Sequence, residues 1–203
     1  LFVQQLSDLL EALKITEPIH LFGLSMGGIV AVTFTERFPE RVDKLVLIDP
    51  AGARPTKLSP MLRLAKMPLL PELPLGLAGD ERLLKSTAAD FYDPALVAEF
   101  IDRYRPQMKI KGFKRAILST IRNHMLGDFS ASYRRVGQLH KPTLLIWGRN
   151  DATVPFEHSD LVRAAIPHAE FHVVEGVGHI PHYEKPGKVN PILLKFLCAE
   201  GKD

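Results

Sequence analysis

The residues best equipped for covalent chemistry are Gly23-Leu24-Ser25-Met26-Gly27-Gly28, placed directly after the apolar run Pro18-Ile19-His20-Leu21-Phe22. A serine hydroxyl becomes a useful nucleophile toward a carbonyl carbon when a sharp turn lifts it clear of the backbone and a base takes its proton. Glycines at 23, 27 and 28 leave room for such a turn. The G-x-S-x-G pattern between a strand and a helix is that of a nucleophile elbow. The N–H of Met26, next after the serine, then lies at a helix N-terminus, where it can donate to the oxyanion formed in acyl transfer. Ile29, Ala31, Val32 and Phe34 continue in a roughly helical pattern up to Pro39, so strand, elbow and helix follow in the required order.

A serine nucleophile needs a base, and the base needs a carboxylate to orient it. The run Pro142–Gly148 reads as a fully buried strand that breaks into Arg149-Asn150-Asp151-Ala152-Thr153-Val154-Pro155, a loop leading to a helix near Val154. Asp151 therefore stands just past a strand end. A further strand, Ala169–Glu175, runs into Gly176-Val177-Gly178-His179-Ile180-Pro181-His182-Tyr183-Glu184-Lys185-Pro186, with His179 in a glycine-flanked loop. Each residue also has a plainer reading: Asp151 as the cap of the following helix, His179 as a structural loop histidine. Asp49, ending Val46-Leu47-Ile48-Asp49-Pro50, is a rival third member.

Taken together, the elbow, the Asp151 loop and the His179 loop resemble the α/β-hydrolase superfamily in its chain order Ser, Asp, His, over nearly the whole chain. The resemblance implies an α/β fold: a mostly parallel sheet with flanking helices and a helical lid insertion. It implies that Ser25 is the nucleophile, His179 the general base that later acts as acid, Asp151 the carboxylate that orients His179, and the Met26 N–H one half of the oxyanion hole. Relatives place several strands and a glycine-rich loop, the source of the second oxyanion amide, before the region matched here. On that basis the chain reads as N-terminally incomplete, with the elbow strand as an exposed edge open to self-association or to a complementing N-terminal segment.

The elements that must position these residues fall into three parts: 1–52, a core part with the elbow; 53–140, a helical lid or cap; and 141–203, a core part with the acid and histidine loops. The ninety-odd residues between Asp49 and Thr143 exceed what a connection within such a sheet requires. Their first half, Arg54–Gly79, is rich in proline and leucine. Their second half carries helical patterns over Pro94–Tyr104 and Phe113–Met125. A cover lined by Leu, Met and Phe would form an apolar acyl pocket. Leu1–Lys14 reads as an amphipathic helix with Phe2, Leu6, Leu9, Leu10 and Leu13 on one face.

At 203 residues and 46% hydrophobic content the chain suffices for one globular unit. A net charge of +3 with scattered basic residues does not describe a nucleic-acid binder. Arg103, Arg105, Lys109, Lys111, Lys114 and Arg115 form a denser patch, open to an anionic substrate tail or to a merely solvated helix face. Arg63 and Lys66 beside Met61–Leu75 give only slight reason to expect membrane contact. His179 and His182 form an H-x-x-H pair without a third ligand at suitable spacing, so neither metal nor cofactor is expected. His20 reads as packed beside the elbow strand, and His124, His140, His158, His168 and His172 as surface or loop positions. Cys198, the single cysteine, reads as a buried apolar residue, and cysteine usage fits a cytoplasmic location.

The expected function is hydrolysis of a carboxylic ester with a medium or long apolar acyl chain through an acyl-enzyme on Ser25. Transfer of the acyl group to an alcohol or peroxide is an alternative. Carbon–carbon bond hydrolysis is another, although many such relatives carry Trp where Ile180 follows His179. A noncatalytic interaction module of the same fold is the non-enzymatic alternative. Dehalogenases and epoxide hydrolases of the fold use an Asp nucleophile, against which Ser25 argues.

Overall fold

The computed structural model describes residues 1–55, 80–81, 83–123, 125 and 127–199. Met61–Leu75 and His124 lie outside the described residues. Four strands, β1 (Ile19–Leu24), β2 (Val42–Ile48), β3 (Thr143–Gly148) and β4 (Glu170–Val174), form one sheet in the order β1-β2-β3-β4, with every neighbouring pair parallel. Helices among the described residues include α1 (Phe2–Ala12), α2 (Met26–Arg37), α3 (Val97–Met108), α4 (Phe113–Arg122), α5 (Ser130–Gln138), α6 (His158–Ala165), α7 (Pro181–Glu184) and α8 (Pro186–Cys198).

The two-residue period of the central strands explains why both sheet faces are covered. On β2 and β3, Leu45, Leu47, Leu145 and Trp147 point into one core, shared with Ile29, Val32 and Phe34 of α2, Tyr133 and Val136 of α5 and Val162 of α6. Val46, Ile48, Leu144 and Ile146 point the other way, into a core closed by Val189 of α8. On α8 the inward stripe Val189, Ile192, Leu193, Phe196 and Leu197 follows the 3, 4, 7, 8 spacing of a helix face. Cys198 falls one residue past that stripe and is exposed, which corrects its expected burial.

Lys44 is a charged residue inside this packing. Its ammonium donates to the carbonyls of Phe196 (3.2 Å), Leu197 (2.8 Å) and Ala199 (2.5 Å), so the buried cation sits on the negative end of α8 and serves carbonyls that the helix leaves unpaired. At the sheet margin, Phe22 of β1 is 45% exposed, as expected of an outer strand. His20, expected to pack beside the elbow strand, also points outward and is exposed, 3.1 Å from Asp43. Leu6 and Leu10 of α1 face the core, whereas Leu9 and Leu13 are exposed, so the apolar stripe of α1 is narrower than its sequence indicated.

Helices α3, α4 and α5, between β2 and β3, pack in two ways. α5 belongs to the core layer: Tyr133 is fully buried, its hydroxyl donates to the Ala51 carbonyl at 2.6 Å, and Arg135 pairs with Glu36 of α2. Ser130–Gln138 therefore packs as core although it falls inside the expected 53–140 insertion. α3 and α4 instead reach α7 through an aromatic chain. Phe91 and Phe100 meet edge-on with centroids 5.1 Å apart, both pack edge-on against Tyr183 (5.8 and 5.0 Å), and Tyr104 continues to Phe113 (5.9 Å). The six basic residues named above surround this group: Arg103 pairs with Glu99, Lys114 pairs with Asp80, and Arg105, Lys109, Lys111 and Arg115 are exposed. Among the described residues no helix is long and apolar enough to cross a membrane.

Candidate active site

In a parallel sheet all strands end at the same rim, and loops leaving that rim bring together residues distant in sequence. The register pairs Leu24 with Ile48, Ile48 with Ile146 and Gly148 with Val174. Ser25, Asp49, the Arg149–Pro155 loop and the Glu175–Ile180 loop consequently leave adjacent strand ends.

Ser25 has φ +51° and ψ −119°, a conformation that a residue with a side chain adopts at a cost. Neighbouring main chain holds it there. Its N–H donates to the Ile48 carbonyl (3.1 Å), and its carbonyl accepts from Gly28 (2.9 Å) and Ala51 (3.0 Å). The hydroxyl-bearing residue is thereby tied to the end of β2 and half-exposed at the rim. Met26 is the first residue of α2, where helix geometry supplies its N–H with no intrahelical acceptor. Glycine is required unequally around the elbow. A Cβ on Gly23 would lie 2.6 Å from the Gly27 carbonyl oxygen, and one on Gly28 would lie 2.6 Å from Pro50 Cβ. A Cβ on Gly27 would meet nothing within 4 Å among the described residues, so none of them requires glycine there for space.

Asp151 and His179 come together across 28 residues of chain, with His179 Nδ1 2.7 Å from Asp151 Oδ2. Both are buried, at 6% and 4% exposure. The other oxygen, Oδ1, accepts from the N–H groups of Thr153 and Val154, each at 2.8 Å. The two readings of Asp151 are thus divided between its two oxygens, one organising its own loop and one facing the imidazole. The helix expected near Val154 begins only at His158, so the loop oxygen caps a turn and not α6.

The histidine loop is clamped by groups that the sequence did not single out. The His179 N–H donates to the Asp90 carbonyl at 2.7 Å, and the Asp90 side chain accepts from the Thr153 hydroxyl at 2.5 Å. Glu184 spans the same junction: Oε1 accepts from the Gly178 N–H (2.6 Å), and Oε2 accepts from the N–H groups of Tyr92 and Asp93 (2.9 Å each). Segment 90–93, which leads into α3, is therefore tied to both loops that carry the Asp151–His179 pair. Gly178 permits the approach, since a Cβ there would overlap the Asp90 carbonyl. The Glu184 position could have been suspected from the acid five residues after His179. Asp90 has no local signal, because its role arises only when the chain returns to the rim.

Several charges here are displaced from their ordinary behaviour. Burial pushes the Asp90 carboxyl up, against the hydroxyl of Thr153 and the nearby His179. Burial, followed by proximity to His179, pushes His182 down, and its Nδ1 is buried without a hydrogen-bond partner among the described residues. Asp49, the rival acid, is also at this rim: one potential ligand atom from each of Asp49, Asp151 and His179 lies within 4.8 Å of the others. His182 is not part of that group. His158 stands apart from it, its imidazole pushed down by burial and then by Arg54, beside a cavity of about 450 Å³ between Ala51–Pro55 and Ala152–His158.

Comparison with known proteins agrees with this architecture. A 2-hydroxy-6-oxononadienedioate/2-hydroxy-6-oxononatrienedioate hydrolase of Paraburkholderia phymatum is 32% identical over 205 residues, covering 95% of this chain and 66% of the relative. The chain thus spans just under two thirds of the length of that curated relative. A meta-cleavage product hydrolase from Pseudomonas fluorescens IP01 superposes with a TM-score of 0.75 at 26% identity, over 96% of this chain and 70% of that one. A thermophilic esterase from Thermogutta terrifontis does so with a TM-score of 0.76, also at 26% identity and the same coverage. The model of the alpha/beta hydrolase fold matches residues 2–186, and the chain belongs to that family.

Proposed function

We propose that this chain is a serine hydrolase that cleaves carboxylic esters through an acyl-enzyme on Ser25. The observation that carries the reading is the buried Asp151–His179 pair, seated at the rim where the strained turn presents Ser25. In this mechanism Ser25 Oγ attacks the ester carbonyl carbon while His179 Nε2 takes the hydroxyl proton. Asp151 Oδ2, bonded to Nδ1, fixes the ring so that Nε2 is the accepting nitrogen, and it stabilises the imidazolium that forms. The Met26 N–H, at the positive end of α2, donates to the oxyanion. His179 then returns its proton to the leaving alcohol, and a water activated by the same nitrogen releases the acid. The aromatic chain of Phe91, Phe100 and Tyr183 beside the histidine loop supports an apolar acyl group on the substrate.

A second reading is hydrolysis of a carbon–carbon bond next to a ketone, favoured by the names of the Paraburkholderia and Pseudomonas relatives. The two share a base and an oxyanion donor and differ in leaving group. They separate by substrate: nitrophenyl esters of increasing acyl length against a 2-hydroxy-6-oxodienoate, each tested with wild type and S25A. The ester reading expects Ser25-dependent release of nitrophenol that rises with acyl length. Turnover of the dienoate without ester cleavage would transfer the conclusion to the second reading, and turnover of neither would defeat both.

A further inference from the structure

The Asp151–His179 pair leaves the neighbouring carboxyl of Asp49 unexplained. Asp49 is fully buried, at 0% exposure, with φ +42° at the end of β2. Its Oδ1 accepts the Gly148 N–H at 2.8 Å, while Oδ2 is buried with no hydrogen-bond donor among the described residues. An unpartnered carboxylate oxygen in such a place is expensive, and two buried carboxylates side by side cannot both carry full charge cheaply. A proton shared between them removes both difficulties at once.

We propose that Asp49 is a positioning residue held in its acid form, its Oδ2–H donating a hydrogen bond to Asp151 and so keeping that carboxylate turned toward His179. The charges that face Asp49 agree in sign. Asp151 on the β3–α6 loop and Glu184 on α7 are both negative, His179 lies within the same cluster, and only the Gly148 amide favours the ionised form. Burial is the largest effect and raises the Asp49 carboxyl well above the usual carboxylate range. The assignment gives Asp49 a role distinct from that of a rival triad acid: it acts on Asp151, and through Asp151 on the imidazole.

Two measurements test it. The first is the infrared difference spectrum of metal-free wild type minus D49N at neutral pH, which is expected to show the carbonyl stretch of a protonated carboxylic acid. Absence of that band overturns the proposal. This arm needs no activity, so it stands even if the hydrolase reading fails. The second rests on that reading and follows the acid limb of kcat/KM for a nitrophenyl ester. D49N keeps a donor toward Asp151 and is expected to hold the limb at its wild-type position. D49A removes the donor, exposes the imidazolium to the full charge of Asp151, and is expected to move the limb to higher pH by on the order of half a unit. An ionised Asp49 would do the reverse, with both variants moving the limb to lower pH. No movement in D49A would show a merely structural role. If D49A does not fold, a downward shift in D49N overturns the proposal by itself. Zinc binding that depends on Asp49 and abolishes the infrared band on titration would show a site built for a cation, and would also overturn it.

Discussion

Replacing Asp151 by Asn tests the site in a way that the local geometry makes unusually specific. The N–H groups of Thr153 and Val154 both point at Oδ1, 2.8 Å away, and can be satisfied only by an acceptor. In D151N the amide oxygen must occupy that position, which places the NH2 group opposite His179 Nδ1, where the carboxylate oxygen was at 2.7 Å. A donor facing Nδ1 forces the neutral ring to carry its proton on Nε2, the nitrogen that in the proposed mechanism accepts from Ser25. The expected loss in kcat is about 10⁴-fold, or about 5.5 kcal/mol of transition-state stabilisation. Stability should change by only about 1 kcal/mol, since the loop bonds survive. The assay is nitrophenyl ester turnover with thermal unfolding in parallel, and nitrogen NMR of His179 reports the tautomer. A D151N protein that folds and keeps more than a tenth of wild-type kcat would refute the reasoning. A large loss in D49N alone would transfer the orienting role to Asp49.

The elbow gives a paired prediction: G28A drives a Cβ to 2.6 Å from Pro50 Cβ and should cost about 1–3 kcal/mol of stability, whereas G27A meets none of the described residues and should be neutral or stabilising by about 0.5–1 kcal/mol. Equal denaturation midpoints for the two variants would contradict this. K44A strips three carbonyls at the end of α8 of their buried cation and should cost about 2–3 kcal/mol in urea unfolding, a loss under about 0.5 kcal/mol being inconsistent with the role assigned to Lys44. The raised Asp49 carboxyl has a consequence for pH. A folded-state pKa above the unfolded one gives stability that is complete at low pH and is lost as pH rises from about 4 toward the folded value. D49N escapes that loss, so its Tm relative to wild type should climb with pH over that range, and a flat difference would show that Asp49 titrates normally.

Motif residues were legible where local chemistry announced them. Ser25 sits among glycines, and Asp151 and His179 each follow an apolar strand and a break, so strand ends, rim and candidate pair could all be read in order. The clamp formed by Asp90, Thr153 and Glu184 was not legible in the same way, since Asp90 is 89 residues before His179 and meets it only through the fold. Placement of α5 in the core was equally hidden: its buried residues, Tyr133 and Val136, resemble those of any amphipathic helix, and only their partners on α2 and α6 distinguish core from cover. His20 and Cys198 are both exposed, each for its own reason. Alternation puts a side chain of an outer strand on either face, and one residue of helical phase separates Leu197 from Cys198.

The central claim is that the hydroxyl of Ser25 is made reactive by His179. Its most direct test is labelling of the folded chain with a fluorophosphonate, followed by peptide mass spectrometry of wild type and H179A. The account predicts one adduct, on Ser25, formed by wild type and slowed at least a thousandfold in H179A. A folded wild-type chain that takes no label, or a Ser25 that labels equally fast without the imidazole, would contradict it.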